Sequence, residues 1–107
     1  MYGSNLRILD LHGLTWVEAE ASFIEFYNQT IRQGGKDAVR LDVVHGYGST
    51  GTGGVLRIRL RGFLRRNESR LDFRTGEKVD GNPGHTIVVP LKPLPSLREQ
   101  LFQDIWD

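Results

Sequence analysis

The sequence contains no cysteine, which removes a disulfide framework, a thiolate zinc site and a cysteine nucleophile from consideration. No apolar run approaches the ~18 residues a membrane-spanning helix needs, and no signal-peptide pattern opens the chain. No membrane partner and a cytoplasmic location are therefore expected. Repeats and low-complexity stretches are missing, and only four prolines occur in 107 residues. That length suits a single domain, residues 1–107, with one small core. Net charge is nearly missing too, at +1, and the sum by itself names no partner. The apolar share of 38% and charged share of 25% are those of an ordinary folded protein.

What is there is unevenly placed. Between residues 10 and 25 stand four acids (Asp10, Glu18, Glu20, Glu25) and no lysine or arginine. Between residues 57 and 74 stand seven arginines against Glu68 and Asp72. Arginine outnumbers lysine eleven to three, a bias suited to planar, bidentate contacts with phosphate. A basic segment is also what a solvated helix face looks like, so charge needs support from the elements around it.

Residues 6–12 alternate, with Leu6, Ile8, Asp10 and His12 on one face and Arg7, Leu9 and Leu11 on the other, which is strand period. Thr15-Trp16-Val17-Glu18 reads as a capping box that opens a helix. Its apolar stripe is expected to be Val17, Ala21, Ile24 and Ile31, widened by Phe23 and Tyr27. Gly34-Gly35 ends it, glycine being the residue that accepts a left-handed C-terminal conformation. Residues 39–45 form a second, largely apolar strand. Strand, helix and strand make a βαβ unit with a right-handed crossover.

Residues 55–66 fit two periods. Leu56-Arg57-Ile58-Arg59-Leu60-Arg61 alternates like a strand, whereas Leu56, Leu60, Phe63 and Leu64 share one helical face and Arg57, Arg61 and Arg65 another. A start directly after a glycine-rich turn that follows a strand favours the helix. Residues 71–75 read as a short strand, 76–84 as a loop, and 85–91 as a β-branched strand that ends at Pro90 or lies on an edge. Pro95-Ser96-Leu97-Arg98-Glu99 is a second capping box, opening a helix over residues 96–107 with Leu97, Leu101 and Ile105 inward. The fold class is a two-layer α/β sandwich.

Two features fall at one edge of that sandwich. The first strand ends in Leu9-Asp10-Leu11-His12-Gly13 and the second in His45-Gly46-Tyr47-Gly48. Parallel strands of one βαβ unit finish at the same edge, where open α/β sheets bind ligands. A lone histidine at a strand end is usually structural. Two at one edge, one preceded by a carboxylate and each followed by glycine, point to a site, and His12 and His45 are expected to approach each other. The loop over residues 46–54 holds five glycines, which lets backbone N–H groups of Gly46, Gly48, Ser49 and Gly51 close on an anion. Its GxGxxG match is weak, because a dinucleotide fold wants more strands, and the lysine of a phosphate-binding Walker loop is missing. Tyr47 is placed to stack on a base, and the arginine stripe to follow successive phosphates.

These residues, in this order, resemble the small MutS-related (Smr) domain. LDLHG, a long helix, HGYG, then Gly53-Gly54-Val55-Leu56-Arg57 and the closing Asp80-Gly81-Asn82-Pro83-Gly84-His85-Thr86-Ile87-Val88-Val89 carry the likeness over a core of about residues 6–91. The resemblance implies a βαβαββ fold with a four-stranded mixed sheet, to which residues 96–107 add a helix. It settles residues 55–66 as helical. It also implies nucleic-acid binding and, in several branches, endonuclease activity on DNA or RNA. A larger MutS-like chain or the ribosome is the implied context. One departure stands out: many members carry a His-Ser pair shortly after HGxG, where this chain has Ser49-Thr50-Gly51-Thr52.

The resulting expectation is phosphodiester cleavage with Asp10, His12 and His45 as the catalytic group. One histidine serves as general base and the other as general acid, since imidazole titrates near pH ~6.5. Asp10 orients His12, while the loop amides and Arg57 stabilise developing phosphorane charge. Gly46, Tyr47, Gly48, Ser49, Gly51, Arg57, Arg61 and His85 are the expected substrate contacts, His85 replacing the missing histidine from an antiparallel last strand. With RNA the 2′-OH is the nucleophile. With DNA a divalent cation such as Mg²⁺, held by Asp10 and a histidine, activates water. A binding module without histidine chemistry is the alternative.

Overall fold

In the computed structural model, which describes residues 5–34, 39–47 and 53–98, the chain runs β1 (Leu6–Asp10), α1 (Trp16–Gln33), β2 (Arg40–Val44), α2 (Gly53–Arg66), β3 (Leu71–Thr75), α3 (Gly76–Val79) and β4 (His85–Pro90). The four strands form one mixed sheet in the order β1-β2-β4-β3. β1 pairs parallel with β2, and β4 runs antiparallel between β2 and β3. This is the expected α/β sandwich. One element is additional: the loop expected over residues 76–84 begins with the single helical turn of α3.

Strand alternation sorts the sheet into two faces. Leu41, Val43, Thr86 and Val88 are buried under the helices. Their neighbours Asp42, Val44, Ile87 and Val89 point the other way, Asp42 and Val44 in register with Ile8 and Asp10 of β1 and Ile87 with Asp42. Over β1 that second face is uncovered among the described residues, so Leu6 and Ile8 stay exposed at 45% and 64%.

The α1 start is as expected. Thr15 Oγ1 accepts the Glu18 N–H, and Glu18 Oε1 accepts the Thr15 N–H at 3.0 Å. The buried stripe, however, is Ala19, Phe23, Ile24, Tyr27 and Thr30, while Val17 is 72% exposed and Ala21 is also outside the core. Phe23 and Tyr27 decide the rotation, because each buried aromatic contributes about 2–3 kcal/mol, more than Val17 and Ala21 offer together once partly solvated. Phe23 packs edge-on against Phe63 of α2. The Tyr27 hydroxyl lies 2.7 Å from Lys92 O and 3.0 Å from Arg70 O, and burial pushes its pKa up to about 12. Gly34 caps α1 in a right-handed conformation (φ −69°), not the expected left-handed one. A Cβ there would approach Thr30 O to 2.9 Å, so close packing is what asks for glycine. Gly35 lies outside the described residues.

α2 is a helix, with Leu56, Leu60, Phe63 and Leu64 all buried. β4 ends at Pro90 and is an interior strand, which corrects the edge alternative; Pro90 sits at its last pairing position, opposite Leu71. Beyond it, Asn28 clips the chain to α1 by accepting the Leu94 N–H and donating to Leu94 O, at 2.9 and 2.8 Å. The expected helix over residues 96–107 is described only as far as Arg98; Leu101 and Ile105 lie outside the described residues. No helix among the described residues is long and apolar enough to cross a membrane.

Candidate functional site

β1 ends at Asp10, and the chain then turns through Leu11, His12 and Gly13, with the Leu14 N–H donating to Leu11 O at 3.2 Å. Gly13 takes φ +83°, a left-handed value that suits glycine. The turn brings His12 back over Asp10. Asp10 Oδ1 accepts the His12 backbone N–H at 3.0 Å and the His12 ring N–H at 2.6 Å. A carboxylate only accepts, so Nδ1 carries the proton and Nε2 is left facing outward. The bond from the His12 ring holds the Asp10 carboxyl below the usual carboxylate range, with the backbone bond adding to it. The ring is 73% exposed.

His45 stands elsewhere. Asp10 is in register with Val44 on the open face of the sheet, so the next residue, His45, turns to the helix side. It is wholly buried. Its Nδ1–H donates to Gly46 O at 2.7 Å, and its Nε2 accepts the Thr86 hydroxyl at 2.9 Å. Burial lowers its pKa, with the charges of Arg61 and Arg57 acting in the same sense. A neutral ring with both nitrogens engaged follows: the sheet register sends His45 under the helices, whereas His12 turns out to solvent.

Arg61 is the second surprise. In place of an exposed phosphate contact it is a buried hub. Its Nε donates to Thr86 Oγ1 at 3.1 Å, its Nη2 to His85 O at 3.3 Å, and its two terminal nitrogens grip both carboxylate oxygens of Glu77 at 3.0 and 2.7 Å. Arg61 holds the Glu77 pKa down to about 2. The polar chain from Arg61 through Thr86 and His45 to Gly46 O is fully satisfied, each donor meeting one acceptor. Arg57 and Arg65 flank Arg61 along an open cleft of about 330 Å³ that also includes Ile58 and Glu77. Among the described residues neither Arg57 nor Arg65 has an ion-pair partner, so these two supply the cleft's uncompensated charge.

The loop after β2 is tied down at its root. Gly46 takes φ +80°, and the N–H groups of His45 and Gly46 both donate to Gly84 O at 3.0 Å. The Gly46 amide is therefore committed to the protein and not free for an anion. Tyr47 is 55% exposed, its ring lying against Gly84 so closely that a Cβ there would come to 3.2 Å from Tyr47 Cδ1. Gly48, Ser49 and Gly51 lie outside the described residues.

β4 does start at the same edge, as an antiparallel strand should, with His85 opposite Val44. Its ring is turned away from solvent and held between two carboxylates, Asp42 Oδ1 at 2.8 Å and Asp80 Oδ1 at 3.0 Å. Asp80 and then Asp42 raise its pKa against the opposing effect of burial. Among the described residues no three His, Cys, Asp or Glu side chains gather as a metal site.

Thr86, Glu77, Asp42 and Asp80 were not among the sequence candidates. Asp42 alone carried a signal, as the single acid among Leu41, Val43 and Val44 of β2. The other three are ordinary residues for their positions and acquire meaning only through partners distant in sequence.

Comparison with known proteins agrees with this architecture. No curated protein matches the chain. Among solved structures, the crystal structure of the Smr domain of Thermus thermophilus MutS2 is similar, with a TM-score of 0.62 and 30% sequence identity, covering 81% of this chain and 99% of that one. The sequence description of the Smr domain matches residues 9–90. With both motifs and strands β2, β3 and β4 inside that match, the chain belongs to the Smr domain family.

Proposed function

We propose that this chain binds nucleic acid and cleaves phosphodiester bonds in RNA, with His12 moving the proton and Asp10 setting its tautomer. The observation that carries this reading is the 2.6 Å bond between Asp10 Oδ1 and His12 Nδ1. It leaves a basic Nε2 on an exposed ring beside a carboxylate able to stabilise the imidazolium. Asp10 and His12 offer at most two donors to a metal, with one carboxylate oxygen already engaged, and no further ligand gathers there among the described residues. RNA brings its own nucleophile and asks least of the chain.

In this mechanism His12 Nε2 accepts the proton of a 2′-OH, and the 2′-oxygen forms a bond to phosphorus as the P–O5′ bond breaks. The leaving 5′-oxygen takes a proton from water, and the hydroxide so formed takes the proton held by His12. The products are a 2′,3′-cyclic phosphate and a 5′-hydroxyl end. Arg57 and Arg65 supply cationic contacts to neighbouring phosphates, and Tyr47 stacks on a base. His45 and Arg61 build the platform and do not touch the substrate.

Matched RNA and DNA oligonucleotides, with Mg²⁺ and with EDTA, test this directly. Cleavage of RNA in EDTA, ending in a cyclic phosphate, is the expected result; cleavage confined to DNA with Mg²⁺ would overturn it. A second reading, a binding module without turnover, is favoured by the burial of His45, which leaves one exposed imidazole near the edge of β1 and β2. Salt-dependent RNA binding with no cleavage under any condition would select it.

A further inference from the structure

His85 takes no part in the proton transfer assigned to His12, yet its ring is the more tightly held of the two. Each ring nitrogen faces a carboxylate oxygen, at 2.8 and 3.0 Å. Carboxylates accept and do not donate, so both nitrogens carry hydrogen and the ring is an imidazolium. Its side chain is 10% exposed, against 20% for Asp42 and 50% for Asp80. The other charged or titratable groups around it are Arg61 from α2, which donates to His85 O, Glu77 of α3 on that same arginine, His45 at the end of β2, and Arg74 of β3, on the same sheet face opposite Ile87. Asp10 lies one strand further along the same row, through Val44. Arg61 is offset by Glu77, which leaves the two carboxylates as the partners that decide the charge of His85.

The bridge is continuous with the root of the Tyr47 loop. Asp80 Oδ1 also accepts the Asn82 N–H at 2.9 Å, and Asn82 Oδ1 accepts the Gly84 N–H at 2.8 Å. Gly84 O in turn takes the N–H groups of His45 and Gly46, and the Tyr47 ring rests on Gly84. A Cβ at Gly76 would collide with the backbone of Asn82 and His85, so there is no room for this turn to settle inward.

We infer that His85 is a positioning residue for the loop that carries Tyr47. Charged, it ties Asp42 to Asp80 and holds residues 80–84 under Gly46 and Tyr47; on losing its proton it releases Asp80 and loosens that support, weakening RNA binding. Only the last step rests on the nucleic-acid reading given above. A neutral ring must present a lone pair to one of its carboxylates, and Asp80, the more solvated of the two, is the one water can replace. The direction follows from the raised pKa: the bridge is whole at and below the ordinary histidine range and is lost as pH rises through the higher value.

The test uses the full chain and two readouts. Nitrogen-15 NMR from about pH 6 to about pH 9 follows the His85 ring and the amides of Gly46, Tyr47 and Gly84 across the range where a raised imidazole titrates. Shared midpoints, moving down together in Asp80→Asn, are expected. Amides of Gly46 and Tyr47 that stay flat while His85 titrates would overturn the inference. Asp80 is half exposed, so this variant folds even where His85→Gln does not. Fluorescence anisotropy with single-stranded RNA at constant ionic strength is expected to lose about three- to tenfold in affinity across the same range, as the loop-competent fraction falls, and to be flat in His85→Gln. A wild-type affinity that ignores pH while the amides move would overturn the functional half. Failure to bind RNA at any pH counts against the nucleic-acid reading alone, and the amides still decide the bridge.

Discussion

Replacing Arg61 by methionine separates a structural arginine from a phosphate-binding one. The side chain is 10% exposed, and its removal takes away the donor to Thr86 Oγ1 and one donor to His85 O. Each charge-assisted bond of this kind contributes about 1.5–3 kcal/mol. Methionine keeps the apolar stem packed and leaves Thr86 with its second bond, to His45, so the two losses do not sum in full. The net cost should be about 2–3 kcal/mol. The Glu77 pair adds little to it, because that carboxylate is 44% exposed and solvent screens it. Arg61→Lys should recover little, since an ammonium cannot reach Thr86, His85 O and both Glu77 oxygens from one position. Urea unfolding followed by tryptophan fluorescence measures this, as a fall in midpoint at unchanged slope. A variant within about 0.5 kcal/mol of wild type, the range of ordinary surface substitutions, and selectively weak in RNA binding would refute the reasoning and return Arg61 to the interface.

Two further outcomes are expected. Thr86→Val strips the donor from His45 Nε2 and the acceptor from Arg61 Nε, and should cost about 1–3 kcal/mol in the same urea assay; a neutral result would mean the buried chain is not coupled. The stability conferred by His85 is fully present below about pH 6.5, its ordinary value, and should decline as pH rises through the raised one. The decline should appear in thermal melts of wild type between neutral pH and about pH 9 and be missing in His85→Gln.

Periodicity made much of the fold legible. The capping box at Thr15, the apolar face of α2 and the alternation of β1 are local patterns, and local patterns are where sequence speaks most directly. The rotation of α1 was not, because Val17 and Phe23 compete for the core and only the opposing helix, through Phe63, decides between them. The site divides the same way. Asp10 and His12 are two residues apart and meet through a single turn, so their pairing could be read in LDLHG. The position of His45 depends on the register of β1 against β2, which sets Asp10 opposite Val44 and sends the next side chain under the helices. Arg61 looked like its neighbours in the arginine stripe. It is distinguished only by Glu77 and Thr86, which reach it from α3 and β4.

Single-turnover cleavage of a labelled RNA by wild type and by His12→Ala tests the central claim most directly. His12 is exposed and, among the described side chains, hydrogen-bonds only to Asp10, so its loss should leave the fold intact while the rate falls about 10²–10⁴-fold, the range for a lost acid–base group. A variant that cleaves RNA at the wild-type rate would contradict the account.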